Sequence, residues 1–576
     1  MAYQLTKFTL SEAWSKSREL YKDLPFLGYA GESGISYGQV AQNIREIQSY
    51  LVSQGVSRGD KVALISESRP EWGQVYLAIN TMGAVAVPIM ADFSSTQMCH
   101  ILEHSDSVYI FASDKTIPRL LTAPLVISGK LVMIKDGLKT GIVKVEGDSW
   151  SFAEESDLFN PASPVQEDFL YMSEEDDIAS ILYTSGTTGN SKGVMLTHKN
   201  ISHNAYVGID ICYAAEESRF LSVLPLAHSY ECTLGLIIPM MSGSSIHYIK
   251  GAPTARVMLK ALELVKPHQM LTVPILIEKI YRMSIAPKFA SKKVLNFLYN
   301  KRPTQFLLNR FVAGKKLKAL FGGRLEFFGI GGAPLAPDVE VFLRDARFPY
   351  SVGYGLTETA PCLAGDVPSR SVYRAIGKAF RDVELRIADV SPETGHGEIQ
   401  ARGPNIMAGY YKDEEKTAEA FSEDGWFKTG DLGYLDENGV LFIKGRLKNM
   451  ILGANGENIY PEEIEAVLNK DPYVMESLVT RMENTLVARV HLNAEKLDEF
   501  LKGLKHTPEE LHRIKEETLE KIRQTANSSL NTLSRLGKMI EQEEPFEKTP
   551  SMKIKRFLYS KIISKKDGAD KKKSSH

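Results

Sequence analysis

The sequence predicts an α/β fold with two domains. A large N-terminal domain has parallel or mixed sheets with covering helices and a β-rich portion, and a small C-terminal domain is α+β. Three observations carry this expectation. Short apolar runs alternate with helical segments from the N-terminus onward, the arrangement of parallel strands covered on both faces. From about Ala379 the texture changes to short strands with tight turns, and beyond Arg446 the chain becomes smaller-grained and more charged. With 576 residues, 43% apolar and 24% charged, the composition is globular and supplies ample core.

In chain order, Val40, Ile44, Ile47 and Leu51 fall at helical spacing and predict one buried helix face. Lys61–Ile65, Ala84–Ile89, Val108–Phe111 and Leu131–Ile134 read as strands, and the series resumes with Ile178–Tyr183, Phe220–Leu224 and Leu325–Phe328. Asn438-Gly439, between Gly433–Leu435 and Val440–Ile443, is a hairpin signal because both turn residues tolerate positive φ. Thr507-Pro508-Glu509-Glu510 reads as a helix start, with Thr507 as N-cap and Glu510 closing a capping box. The Glu495–Arg523 segment, with seven Lys/Arg against eight Asp/Glu, reads as amphipathic helices, first as a solvated elaboration and second as a protein or membrane contact. The domain boundary is placed near Lys448, so that the large domain spans residues 1–447 and the small one 448–576.

Several function classes are disfavoured at once. A formal charge of −2 recruits neither nucleic acid nor an acidic membrane globally. Cys99, Cys212, Cys232 and Cys362 show no CxxC spacing, which argues against a disulfide framework or thiolate zinc site and suits a reducing cytosol. The N-terminal MAYQLTKFTLSEAW lacks the charged flank and apolar centre of a signal peptide. Leu234–Met241, the most apolar stretch, is too short for a membrane span and contains a proline.

The sharpest chemical feature is Tyr183-Thr184-Ser185-Gly186-Thr187-Thr188-Gly189-Asn190-Ser191-Lys192-Gly193. An apolar strand runs directly into glycines, hydroxyls and a lysine. Glycine backbone lets N–H groups close around an anion, the hydroxyls donate, and the lysine adds charge. It is not the G-x-x-x-x-G-K-[ST] phosphate loop, since Ser191 stands five residues after Gly186 and Lys192 precedes Gly193. Alone, such a run is more often a solvated loop.

It does not stand alone. With Tyr354-Gly355-Leu356-Thr357-Glu358-Thr359, Thr429-Gly430-Asp431-Leu432-Gly433 and Gly445-Arg446-Leu447-Lys448-Asn449, the chain resembles the adenylate-forming superfamily from about Ile35 to Lys553. Leu224-Pro225-Leu226-Ala227-His228 and Gly453-Ala454-Asn455-Gly456-Glu457-Asn458-Ile459-Tyr460-Pro461 are most similar to long-chain fatty-acid–CoA ligases. The resemblance implies a small domain that rotates between two half-reactions about Lys448. In the first, ATP and a fatty acid give an acyl-adenylate and pyrophosphate; in the second, the acyl group passes to CoA.

It also implies roles. Thr184, Ser185, Gly186, Thr187, Thr188, Gly189 and Lys192 would close over the β- and γ-phosphates, and Glu358 would hold Mg²⁺ with Thr357 beside it. Gly332, Ala333 and Pro334, following Gly331, would wall the adenine pocket, with Tyr354 stacking on the face of the base and Gly355 adjoining. Asp431 would accept from the ribose hydroxyls and Arg446 would reach ribose and phosphate. His228 would border the carboxylate site and the acyl channel, which Leu234, Leu236, Ile237, Met240 and Met241 could line or simply pack behind. No gating tryptophan is present in this segment. Lys553 would bridge carboxylate and α-phosphate, with Lys548 and Lys555 as nearby alternatives, because Met552 stands where many relatives have glycine. Gly456 would pass the CoA arm.

Two rival readings stay open: an acyl-adenylate ligase delivering to a carrier protein, and a noncatalytic nucleotide or lipid binder. The second conflicts with the joint presence of Lys192, Glu358, Asp431, Arg446 and Lys553. The expected location is cytoplasmic. After Ser560 the tail carries six lysines against two aspartates and is expected either to be solvated or to touch anionic lipid.

Overall fold

The computed structural model describes residues 3–122, 130–134, 140–146, 149–152, 173–184, 192–251, 254–290, 293–452, 458–482, 485–501, 507–548 and 554–559. Two large sheets form its frame. The first is nine-stranded, and five of its strands, Lys61–Ile65, Val85–Ile89, Tyr109–Ser113, Lys130–Ile134 and Ile178–Thr184, run parallel. Lys192–Thr197 joins it antiparallel to Ile178–Thr184, and Gly409–Tyr410 closes that edge. The second sheet is seven-stranded, with parallel pairing through Tyr350–Val352, Phe327–Ile330, Gln269–Thr272, Arg219–Ser222, Ser245–Tyr248 and Pro25–Tyr29.

Helix Pro70–Thr81 is buried along its whole length, including Trp72 and Tyr76, whose hydroxyl shares a hydrogen bond with Ser180 on the first sheet. Local sequence sets the helix starts. Ser36 with Gln39, Ser94 with Gln97, and Thr197 with Asn200 form capping boxes, each satisfying backbone donors that a helix start leaves open. The helix at Tyr37–Ser53 buries Val40, Ile44, Ile47 and Leu51, the face expected from their spacing.

A four-stranded antiparallel sheet follows, built from Glu384–Ala388, Gly397–Arg402, Phe427–Leu435 and Leu441–Arg446. Its last hairpin turns at Asn438-Gly439, where Gly439 has φ 74° and the Asp436 carboxylate accepts from the Asn438 and Val440 N–H groups. A separate core then gathers Ile464, Leu468, Val479, Ala488, Val490, Leu519 and Ile522. Here Val474–Met482, Thr485–Leu492 and Lys538–Glu541 form a three-stranded sheet under helices Pro461–Leu468 and Pro508–Ser529. The Thr507–Glu510 capping box starts the long helix. Leu519 and Ile522 anchor it, so this part of the charged segment packs one face and solvates the other, and Ala494–Leu501 forms a separate helix earlier in the segment.

Three strand expectations shift. Val108–Phe111 becomes Tyr109–Ser113, because Val108 is exposed outside the ladder while Ala112 and Ser113 pair with Ile65 and Ile134. Phe220–Leu224 becomes Arg219–Ser222, because Leu224 leaves the sheet and its carbonyl accepts from the Ser68 hydroxyl. Leu325–Phe328 becomes Phe327–Ile330, because the exposed Glu326 lies outside the sheet while Gly329 and Ile330 pair with Leu271 and Thr272. The Leu234–Met241 stretch lies in a buried helical run that begins at Ser229 and widens to a π-helix over Cys232–Ile237. Among the described residues no helix is long and apolar enough to cross a membrane, and all four cysteines are free and buried.

Candidate active site

Parallel strands deliver ligand-binding groups at their C-terminal ends, where successive loops emerge side by side. The residues singled out from sequence follow that rule. Thr184 ends its strand, His228 follows Arg219–Ser222, Gly331-Gly332 follows Phe327–Ile330, and Tyr354 follows Tyr350–Val352.

Thr184 and Lys192 face each other across the antiparallel ladder, so the strand ends bracket the Gly/Ser/Thr loop between them. Ser185, Gly186, Thr187, Thr188 and Gly189 lie outside the described residues. The Lys192 ammonium sits 4.5 Å from the ring centroid of Tyr410, a cation–π contact. The Tyr410 hydroxyl donates to Glu358 Oε1 at 2.9 Å. Burial pulls the Lys192 ammonium below its usual range, and the positive charges of Lys416 and Lys448 push the same way, against Glu358 and Asp413. Three lysines therefore share one neighbourhood, a field suited to an anion. Tyr410 and Lys416 were not anticipated from sequence. Tyr410 is placed by the pairing of Gly409–Tyr410 with Met195 and Val194, which no local pattern announces.

Thr357 and Glu358 lie in a single 3₁₀ turn, held from behind where the Asn405 amide donates to the Thr359 and Cys362 carbonyls. Gly355 is obligatory there. A Cβ would sit 1.8 Å from the Pro361 carbonyl oxygen, a backbone atom that cannot step aside cheaply.

The second cluster centres on Asp431, only 4% exposed. Its Oδ2 accepts from the Tyr354 hydroxyl at 2.8 Å, and its Oδ1 pairs with Arg446 Nε at 3.0 Å. Asp431 and Arg446 are cross-strand partners, so the hairpin itself sets this pair. Burial, then the Asp431 charge, raises the Tyr354 phenol well above its usual range, keeping it a donor.

His228 is half-buried at a helix start, where its Nδ1 accepts from the Tyr230 N–H at 3.4 Å. Ser68 pins the preceding loop: its hydroxyl accepts from the Leu226 N–H at 2.9 Å. The Tyr230 ring lies against the next loop, since a Cβ on Gly331 would be 3.1 Å from its Cζ. Gly332, with φ +85°, Ala333 and Pro334 are exposed beyond it. A cavity of about 20 Å³ touches Tyr230, Leu234, Phe327, Gly329, Gly353 and Cys362. That is room for about one water. Leu234 alone among the five apolar residues considered for a channel lines it. Met240 and Met241 are fully buried, and the Met240 carbonyl accepts from the Tyr37 hydroxyl, as core packing requires.

Lys448 occupies a 3₁₀ turn, Leu447–Asn449, directly after the last strand of the four-stranded sheet. Lys444 pairs with Glu463 at 3.4 Å across this turn, and at its end the Asn449 amide donates to Glu462 at 2.6 Å. Gly456 and Lys553 lie outside the described residues. Their described neighbours are engaged: Lys548 pairs with Glu476, Lys555 with Glu547 at 3.3 Å, and Arg556 with Glu465.

Comparison with known proteins gives three consistent results. The family description "AMP-binding enzyme" matches residues 14–411. Two Arabidopsis thaliana proteins are similar over most of their length. "Long chain acyl-CoA synthetase 7, peroxisomal" is 30% identical, covering 97% of this chain and 86% of its own. "Long chain acyl-CoA synthetase 6, peroxisomal" is 32% identical, covering 80% and 69%. The crystal structure of ATP-bound MatB from Rhodopseudomonas palustris superposes with a TM-score of 0.74 at 21% identity, covering 95% of this chain and 98% of that one, a likeness of fold.

Proposed function

The chain belongs to the AMP-binding enzyme family, within the adenylate-forming superfamily, and from that premise we propose an ATP-dependent ligase. It activates a fatty acid as acyl-AMP and transfers the acyl group to CoA, releasing AMP and pyrophosphate. One observation carries the reading: Lys192, Tyr410 and Glu358 form one chain of contacts, Tyr354, Asp431 and Arg446 form another, and Tyr354 and Glu358 lie four residues apart on one segment that joins the two.

The chemistry demands such a set. A fatty carboxylate must approach the α-phosphate of ATP, so both reactants are anionic and catalysis is chiefly charge neutralisation and alignment. Lys192, with Lys416 and Lys448 in its field, offsets the phosphate charge. Thr184 and the loop to Gly189 supply hydroxyl and backbone donors. Asp431, held by Tyr354 and Arg446, takes the role of accepting from the ribose hydroxyls. Gly332, Ala333 and Pro334 leave the space a flat base needs beside the backbone. Lys553 takes the role of bridging the two anions, a choice supported by the ion pairs that occupy Lys548 and Lys555.

The residues also fit Mg²⁺. A Mg²⁺ site uses one or two carboxylates and leaves the rest to water and phosphates. Glu358 offers one oxygen that makes no hydrogen bond or ion pair with a described residue, and no cluster of three or more His, Cys, Asp or Glu exists among the described residues. When bound, the ion neutralises phosphate charge and orients the leaving pyrophosphate.

Long-chain preference is part of the proposal, supported by the similarity to the two Arabidopsis proteins over most of the chain. The test is a thioester-formation assay with ATP and fatty acids of graded length, run once with CoA and once with an acyl carrier protein. Activity rising with chain length and confined to CoA supports the reading. Transfer only to the carrier protein overturns the CoA assignment, and preference for short acids overturns the chain-length one.

A further inference from the structure

Between Lys279 and Arg324 the chain has twelve basic residues and no acidic one, within a protein of net charge −2. This run links strands Gln269–Thr272 and Phe327–Ile330 and is almost wholly helical. It is also unusually apolar on its outside. Of twenty large apolar side chains exposed among the described residues, eight lie in 283–320, including three of the four phenylalanines. Scattered exposed leucines need no explanation, but a concentration of this kind marks an interaction surface.

Helical spacing organises the surface. Val294 (71% exposed) and Phe297 (61%) stand three apart on helix Lys293–Tyr299, with the Lys301 ammonium 4.2 Å over the Phe297 ring. Leu307 and Phe311 (56%) stand four apart, continued by Lys315, while Asn309, Ala313 and Leu317 turn inward and are buried. Arg282 and Arg302 are paired with Asp338 and Asp345. Lys279, Lys293, Lys301, Lys315, Lys316 and Lys318 remain exposed.

We propose that the helices of 283–320 dock onto a bilayer containing anionic lipid. Rings and aliphatic chains interleaved with ammonium groups satisfy both halves of a lipid–water interface: the apolar tips enter the acyl boundary and the flexible lysines reach the phosphates. Other occupants fit less well. A nucleic acid would pair with the lysines but leave Val294, Leu307 and Met283 in water. A second copy would set one strongly basic face against another, and the lysine-rich tail is repelled for the same reason. The run also begins beside the candidate site, since Val273 Cγ1 lies 3.8 Å from the position of a Cβ on Gly332. Docking there is independent of which reaction the site performs.

The experiment is co-sedimentation of the full chain with phosphatidylcholine vesicles and with mixed phosphatidylcholine–phosphatidylserine vesicles. Three altered proteins accompany it: Phe297→Glu with Phe311→Glu, the triple change Lys293→Glu, Lys315→Glu and Lys316→Glu, and a chain ending at Ser560. The wild type and the shortened chain bind the mixed vesicles and leave the neutral ones. Each basic residue near an anionic surface is worth about fivefold, so the triple change weakens binding by roughly a hundredfold or more. All the altered side chains are exposed, so melting temperature stays within a few degrees of wild type and separates lost docking from lost folding. Equal binding by wild type and the lysine triple variant overturns the proposal, as does binding that disappears only when the tail is removed, or a wild type that binds neither vesicle.

Discussion

Replacing Tyr410 with phenylalanine isolates the least obvious contact in the site. The ring stays under Lys192 and only the hydrogen bond to Glu358 is lost, a 2.9 Å bond from a phenol to a carboxylate. Hydrogen bonds to charged groups contribute about 1.5–3 kcal/mol, and partial exposure of Glu358 places this one near the lower end. If Tyr410 orients Glu358 toward Mg²⁺, that loss becomes roughly a tenfold rise in the Mg²⁺ concentration giving half-maximal pyrophosphate release, at about 1.4 kcal/mol per tenfold. Tyr410→Leu also removes the cation–π contact, worth about 0.5–1 kcal/mol at an exposed site, and should add a few-fold rise in KM for ATP. Pyrophosphate release measured across a Mg²⁺ titration reads both effects, with Glu358→Ala as the inactive reference. An unchanged titration for Tyr410→Phe beside an inactive Glu358→Ala would refute the positioning role.

Two further outcomes follow from particular groups. Lys553→Ala should abolish pyrophosphate release yet still make thioester from supplied acyl-adenylate and CoA, while Gly456→Leu should adenylate normally and fail with CoA; equal loss of both steps in a folded Lys553→Ala breaks this division. Burial pushes the Glu231 carboxyl up to about 8, although Ser222 donates to it at 2.5 Å. Its folded value lies above the usual carboxylate range, so stability is fullest below about pH 4.5 and falls as pH rises to 8, by up to about 1.4 kcal/mol per unit. Glu231→Gln should therefore melt like wild type at pH 4 and increasingly above it toward pH 8. A wild-type–variant difference that is the same at pH 5 and pH 8 would show that Glu231 is not held neutral.

What the sequence disclosed follows from the range of the interactions involved. The Thr507–Glu510 capping box, the Asn438-Gly439 turn and the Val40–Leu51 helix face are set by neighbours within one turn, so spacing alone exposed them. Lys61–Ile65 was legible to the residue because both its faces are covered. Leu325 misled because apolarity marks burial without marking where ladder pairing begins. The candidate site divides along the same line. Glycines and charges in motifs named Lys192, Glu358, Asp431 and Arg446 as related, but Tyr410 reaches Glu358 across 52 residues through strand pairing. No periodicity foretold that Leu234 borders the cavity while Met240 and Met241 pack behind it, since all three are equally apolar and only the turn of the π-helix separates them.

The fate of the nucleotide bears most directly on the proposed chemistry. The purified chain, given ATP, Mg²⁺, a long-chain fatty acid and CoA, should produce AMP, pyrophosphate and acyl-CoA in equal amounts. Chromatographic quantification of nucleotide and thioester from one reaction decides it. Stoichiometric ADP in place of AMP, or no nucleotide turnover with any fatty acid, would contradict the adenylation step.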